Sequence, residues 1–146
     1  MLKKVAIIGS GQAGLASAKY AFEHGLKPVI FEKAKYPGGQ WLVDNKYKTN
    51  IWDNLHCNFT IKVSCFSDHF YPENTSIFPT KQEVHNYLLS YIDRFQLDRC
   101  FRLHTHVNNA NQLADKKWRI EYTCNKTNAR NSEIFDFLIV ASGLYI

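Results

Sequence analysis

Apolar and polar positions along the chain change their period several times, and each change marks an element. Val5–Ile8 is a short, β-branched apolar run, the pattern of a strand buried on both faces. From Gln12 to His24 the spacing becomes helical, with Ala13, Leu15, Ala16, Ala18, Ala21 and Phe22 supplying small and apolar positions and Gly25 closing the stretch. A second apolar run, Pro28–Phe31, ends in Glu32. Residues 42–79 show little periodicity, and so long a loop in a compact domain is functional or an insertion. Thr80 and Glu83 form a capping box ahead of Val84, Tyr87, Leu88, Tyr91, Ile92 and Phe95, which predicts an amphipathic helix from Lys81 to about Phe95 with its aromatics in the core. Leu103, Thr105 and Val107 alternate with His104 and His106, a strand signal. Trp118, Ile120, Tyr122 and Cys124 alternate with polar residues, predicting a half-buried antiparallel strand. Asn125–Asn131 reads as a turn, and Phe135 opens a strand that continues as Phe137–Ala141, a central parallel strand ending in Ser142-Gly143.

Candidate chemistry concentrates in the first turn. Gly9, Gly11 and Gly14 stand at G-x-G-x-x-G spacing between the first strand and the first helix, with Glu32 at the tip of the second strand. Strand, glycine turn, helix, strand and acid within about thirty residues is the dinucleotide-binding pattern. Gly9 allows the tight turn, Gly11 leaves room for a pyrophosphate against the backbone, and Gly14 lets the helix pack close to the strand. The helix N-terminus then holds the phosphate charge. Glu32 accepts hydrogen bonds from a ribose diol and repels a 2′-phosphate, favouring FAD or NAD over NADP at this site. A ligand would lie beyond the carboxyl end of the last strand, at Ser142 and Gly143. Pro37-Gly38-Gly39 is a turn signal, and the Gln40-Trp41 that follows suggests backbone approaching a flat ligand with an aromatic lid beside it; an ordinary turn with a packed Trp is the alternative.

Composition narrows the class without changing this picture. The chain of 146 residues is long enough for one domain with a sizeable core. Its net charge of +5 is spread over loosely grouped lysines, as on a solvated surface, so nucleic-acid binding is not favoured. Cys57, Cys65, Cys100 and Cys124 lack C-x-x-C spacing and read as free thiols of a reducing compartment. Three tripeptides match the glycosylation sequon, at Asn58, Asn74 and Asn125, but nothing else suggests secretion. No apolar run approaches the roughly 20 residues that span a bilayer, and a strand from about residue 4 leaves no room for a signal peptide. His104 and His106 lack a third ligand in view, so no metal is expected.

The chain resembles the N-terminal FAD-binding portion of the flavin-containing monooxygenase family. The residues that carry the likeness are Val5–Gly14, Phe31-Glu32-Lys33, Gly38-Gly39-Gln40-Trp41, Asn58 within Leu55–Thr60, Cys65-Phe66-Ser67-Asp68, Phe78-Pro79 and Phe137–Gly143. The resemblance implies a Rossmann-like α/β fold with a parallel sheet and an antiparallel β insertion, incomplete at the C-terminus. It implies that Gly9, Ser10, Gly11, Gln12, Ala13 and Gly14 cradle the FAD pyrophosphate and that Glu32 holds the adenosine ribose. Gln40 and Trp41 would contact the ribityl and flavin side, with Ser142 and Gly143 also at the cofactor. Asn58 would lie near the flavin and the nicotinamide, as the catalytic residue. The family reduces FAD with NADPH and transfers one oxygen atom from O2 to a soft nitrogen or sulfur nucleophile, as in dimethylaniline monooxygenation.

Several departures bear on activity. A second G-x-G-x-x-G for NADPH is absent, as is the Phe-x-Gly-x-x-x-His signature. Ile61 stands where relatives carry a Lys, with Lys62 next to it, and Ser142 replaces a Thr. The expectation is therefore an N-terminal FAD-binding part at 1–146 of a truncated chain, without an NADPH-binding domain and without turnover alone. The alternatives are a non-catalytic FAD or nucleotide-binding module and an NAD-dependent oxidoreductase of another family; Gly-Gly-Gln-Trp argues against the latter. The resemblance places the chain on the cytoplasmic side, with endoplasmic reticulum association open to a longer form.

Overall fold

The computed structural model describes residues 2–44, 49 and 51–143. Strand β1 (Lys4–Ile8), helix α1 (Gln12–Glu23) and strand β2 (Lys27–Phe31) form the first β-α-β unit, within one or two residues of the boundaries expected from the sequence. β1 and β2 pair in parallel, with Ile8 opposite Phe31. The one-turn helix α2 (Ile61–Ser64) and helix α3 (Lys81–Arg94) follow. β3 (Phe101–Arg102) then joins the far side of β2, and β7 (Phe137–Val140) the far side of β1. The result is a parallel sheet of order β3-β2-β1-β7. Between β3 and β7 the chain builds an antiparallel sheet of β4 (Thr105–Gln112), β5 (Trp118–Cys124) and β6 (Arg130–Phe135), the insertion anticipated from the alternating pattern.

The alternation of side chains along β1 explains the layering. Val5 and Ile7 point to one core, with Leu15 and Ala18 of α1 and Val84, Tyr87, Leu88 and Tyr91 of α3. Ala6 points to a second core on the opposite face, with Phe31, Ile120 and Phe135. A strand covered on both faces must be apolar at every position, which is why Val5–Ile8 shows no alternation. α3 begins with the full capping box: Thr80 Oγ1 accepts from Glu83 N, and the Glu83 carboxylate accepts from Thr80 N at 2.8 Å. Glu133 ties the two sheets together, reaching Lys4 Nζ at 2.7 Å and Arg102 Nη2 at 2.6 Å.

Three expectations are corrected. Asn125–Asn131 is not all turn, because β6 begins at Arg130 and Phe135 ends it rather than opening the last strand. β6 is the edge of the antiparallel sheet and mostly exposed, so it needs little apolar patterning and gave no strand signal. The predicted strand through Leu103–Val107 is broken at His104, whose φ is +53°; there the chain leaves the parallel sheet for the antiparallel one. β7 lies at the edge of the described sheet rather than in its centre, with Phe137 42% and Val140 66% exposed. Part of the weakly periodic stretch, at 45–48 and 50, lies outside the described residues. The remainder holds α2 and two isolated bridges, His56 with Thr80 and Phe66 with His69. Asp68 anchors this stretch to α1 through Lys19 Nζ at 2.6 Å, and that ammonium holds the Asp68 carboxyl below its usual range.

Candidate cofactor site

β1 is the point where the sheet order reverses, since β2 lies on one side of it and β7 on the other. Open parallel sheets bind ligands in the crevice outside the carboxyl ends of the strands at such a point. The glycine turn occupies it. Gly9 N donates to Phe31 O at 2.9 Å, and Gly9 takes φ +102° so that its Cα side faces β7. A Cβ there would overlap Ala141 O and come within 3.3 Å of Ser142 Cα. A Cβ at Gly14 would overlap Gly9 O, so the first turn of α1 lies directly on the loop.

Gly11 differs from both. Its backbone is extended, φ −74° and ψ −173°, and a Cβ added to it would meet only Gly39 Cα, at 3.7 Å. The space above it is open. Gly11 is also the N-cap of α1, and no side chain caps the helix. A helix start leaves N–H groups without intrahelical partners, which suits an anion.

The Pro37-Gly38-Gly39 turn forms the facing wall. Gly38 N donates to Ser10 O at 3.2 Å, and Gly39, at φ +58°, lies so close that a Cβ on it would stand 2.8 Å from Gly11 Cα. Two glycine backbones thus bound the cradle. After it comes a single 3₁₀ turn at Gly39–Trp41. Gln40 is exposed beside the cradle. Trp41 is only 8% exposed and belongs to the main core, so its ring is packed rather than lying as a lid over the surface. Its Nε1–H is buried without a partner among the described residues.

Glu32 sits at the tip of β2 and is 7% exposed. Its Oε2 accepts from Ser10 N at 3.0 Å and Ser10 Oγ at 2.5 Å, and its Oε1 accepts from Ala34 N at 2.8 Å. A carboxylate offers about four lone-pair positions, so one on Oε1 remains for a ribose hydroxyl. The same carboxylate therefore props the cradle through Ser10, a double duty that the sequence pattern did not reveal. Gln12 is half-buried and Ala13 exposed at the helix start. Ser142 and Gly143 are exposed just beyond β7, and Ser142 adjoins Gly9. These residues come together around one crevice. Asn58 is exposed in a bend between the Cys57–Pro79 and Ile61–Ile77 backbone bonds.

His85 escaped sequence reasoning. It lies on α3, 7% exposed, with Nε2 at 3.2 Å from Pro37 O and Nδ1 at 3.4 Å from Val43 N. Burial holds its pKa below the usual histidine value. A histidine on the buried face of an amphipathic helix was the available signal, and it does not distinguish a site residue from a core one.

The residues fit FAD: bare glycine backbone with no side chain over the helix start, an uncapped helix N-terminus, and a carboxylate with one free position at the tip of β2. Fold and site together define a dinucleotide-binding protein of the Rossmann-like class. The family model for flavin-binding monooxygenase-like proteins matches residues 2–146, and the chain belongs to that family. It is 31% identical to flavin-containing monooxygenase 3 of Macaca mulatta, over 100% of this chain and 28% of that protein. It superposes on S-allyl-L-cysteine S-oxygenase of Allium sativum with a TM-score of 0.88 and 26% identity, covering 98% of this chain and 37% of that one. Cyclohexanone monooxygenase of Rhodococcus sp. Phi1, solved with NADP+, gives 0.77 and 27%, covering 99% and 26%. FAD and NADPH are the cofactors of this family. The chain spans about 28% of the length of the curated relatives it matches. No helix among the described residues is long and apolar enough to cross a membrane.

Proposed function

We propose that residues 1–146 are the FAD-binding part of a flavin-containing monooxygenase whose complete form oxygenates soft nitrogen or sulfur nucleophiles with NADPH and O2. The observation that carries this reading is the bare glycine backbone at the uncapped start of α1, where Gly11 and Gly39 meet with no side chain between them. When bound, FAD supplies the redox and oxygen chemistry. The chain's own residues bind and orient it. Backbone N–H groups of Gln12 and Ala13 take the pyrophosphate, and glycine at Gly11 and Gly39 lets it approach. Glu32 accepts one ribose hydroxyl while its other bonds keep Ser10 and Ala34 fixed. Gln40, Ser142 and Gly143 border the crevice, and the Trp41 ring packs in the core behind Gln40. Asn58 takes its catalytic position near flavin and nicotinamide in the complete enzyme. Four free cysteines suit a reducing intracellular compartment.

The reading makes the chain a cofactor-holding unit without turnover of its own, since it has a single G-x-G-x-x-G and Glu32 disfavours a 2′-phosphate there. Incubating the purified chain with FAD, NAD or NADP and removing free ligand by gel filtration tests it. Retention of about one FAD per chain, with NAD and NADP lost, supports the reading. Preferential retention of NAD would assign the chain to an NAD-dependent oxidoreductase instead.

A further inference from the structure

We propose that His85 is the positioning residue that holds the Gly38–Gly39 turn against the phosphate cradle and thereby sets FAD affinity, an inference that rests on the FAD reading above. The turn forms one wall of the cradle, yet it lies on an irregular segment whose bond to the other wall is Gly38 N to Ser10 O at 3.2 Å. α3 supports it as well. His85 Nε2 lies 3.2 Å from Pro37 O, on the residue before Gly38, and Nδ1 lies 3.4 Å from Val43 N, just beyond the 3₁₀ turn. One ring thus clasps both ends of the wall.

The chemistry of the partners fixes the ring's state. A proline carbonyl only accepts and a backbone N–H only donates, so Nε2 carries the proton and donates while Nδ1 accepts. The ring is neutral in this arrangement, since a proton on Nδ1 would face the Val43 N–H. Burial favours the same form, and the nearby Lys81 charge pushes in the same direction. The fit is close: a Cβ on Gly38 would stand 3.0 Å from His85 Cδ2, and Gly38 adopts φ +137°. Gly38 is therefore bare because the imidazole fills the place of its side chain, as Gly39 is bare because Gly11 lies opposite. The GxGxxG pattern describes one wall; His85, 48 residues past Pro37 in the chain, holds the other from a helix that lies beside the turn in space.

The test compares the 1–146 chain with His85→Leu, which fills similar volume without polar atoms, and His85→Gln, which restores a donor and an acceptor on adjacent atoms. Far-ultraviolet circular dichroism establishes that each variant folds. Amide hydrogen exchange without ligand reads the turn directly at Gly38, Trp41 and Leu42, whose N–H groups bond Ser10 O, Gly38 O and Gly39 O. His85→Leu is expected to speed exchange at these amides by about tenfold or more while β1, β2 and α1 keep their protection. Its FAD dissociation constant is expected to rise by about tenfold or more, with His85→Gln recovering most of both effects. Unchanged exchange at the turn, unchanged FAD affinity in His85→Leu, or a Gln variant no better than the Leu variant would overturn the proposal. A wild-type chain that binds no FAD would overturn the cofactor reading and the affinity claim together, while the exchange comparison still decides whether His85 holds the turn.

Discussion

Gly11→Ala and Gly14→Ala add the same methyl group to glycines of one motif, and the structure predicts opposite consequences. At Gly11 the new Cβ meets only Gly39 Cα, at 3.7 Å, an ordinary van der Waals contact, and the extended backbone suits any L-residue. Two small terms then oppose each other. Restricting the unfolded chain stabilises by about 0.4–1 kcal/mol, and alanine in place of glycine at an N-cap costs roughly 0.5–1 kcal/mol. The net change is within about 0.5 kcal/mol, a melting shift of no more than about 2 °C for a domain of this size. At Gly14 the Cβ overlaps Gly9 O, backbone that cannot swing aside, and the helix must move off the loop. Overpacking of this kind costs about 1–3 kcal/mol. FAD affinity separates the two in another way. The Gly11 methyl occupies the space of the pyrophosphate, and losing one charge-assisted hydrogen bond of about 1.5–3 kcal/mol weakens binding by about tenfold to a hundredfold. The assay pairs urea denaturation with quenching of FAD fluorescence on both variants. A Gly11→Ala protein that binds FAD like the wild type, or that loses as much stability as Gly14→Ala, would refute the assignment of Gly11 to the phosphate.

Glu32→Ala is expected to weaken FAD and also to destabilise the apo chain by about 3 kcal/mol, because it strips partners from Ser10 N, Ser10 Oγ and Ala34 N; an unchanged urea midpoint would contradict the double role. Backbone N–H groups of Ser76 and Thr80 hold the Glu83 carboxyl at about 2, below its ordinary 4.5. A depressed carboxyl stabilises above its unfolded value, so the cap's contribution should be present above about pH 4.5 and fade as pH falls toward 2. Hydrogen exchange at the start of α3 reads this, and Glu83→Gln should flatten the pH dependence. With FAD, NADPH and a dialkylaniline, the isolated chain should consume no NADPH at an enzymatic rate; N-oxide formed in step with NADPH loss would show an unrecognised nicotinamide site.

The parts of the fold legible in the sequence are those where local signal and tertiary role agree. β1, α1, β2 and α3 carry their patterns because burial on one or both faces imposes them, and Thr80 with Glu83 announces a helix start that the structure forms in full. β6 was missed because an exposed edge strand held by cross-sheet ion pairs at Glu133 needs no alternation. The break at His104 depends on which of two sheets each half joins, which no local window contains. In the site, Gly9, Gly11, Gly14 and Glu32 were legible because their spacing is local. Trp41 was half legible: the turn before it was evident, while the ring's burial in the core depends on α3 packing from elsewhere in the chain. The bonds from Glu32 to Ser10 and from His85 to the second glycine turn join distant residues, and only the fold brings them together.

Titrating the purified chain with FAD and, separately, with flavin mononucleotide tests the central claim most directly, because the cradle and Glu32 should grip the half of FAD that flavin mononucleotide lacks. The account predicts one FAD per chain, bound at least about tenfold more tightly than flavin mononucleotide, since at least one charge-assisted bond of about 1.5–3 kcal/mol belongs to the pyrophosphate and adenosine half. A folded chain that binds neither flavin, or binds both equally well, would contradict it.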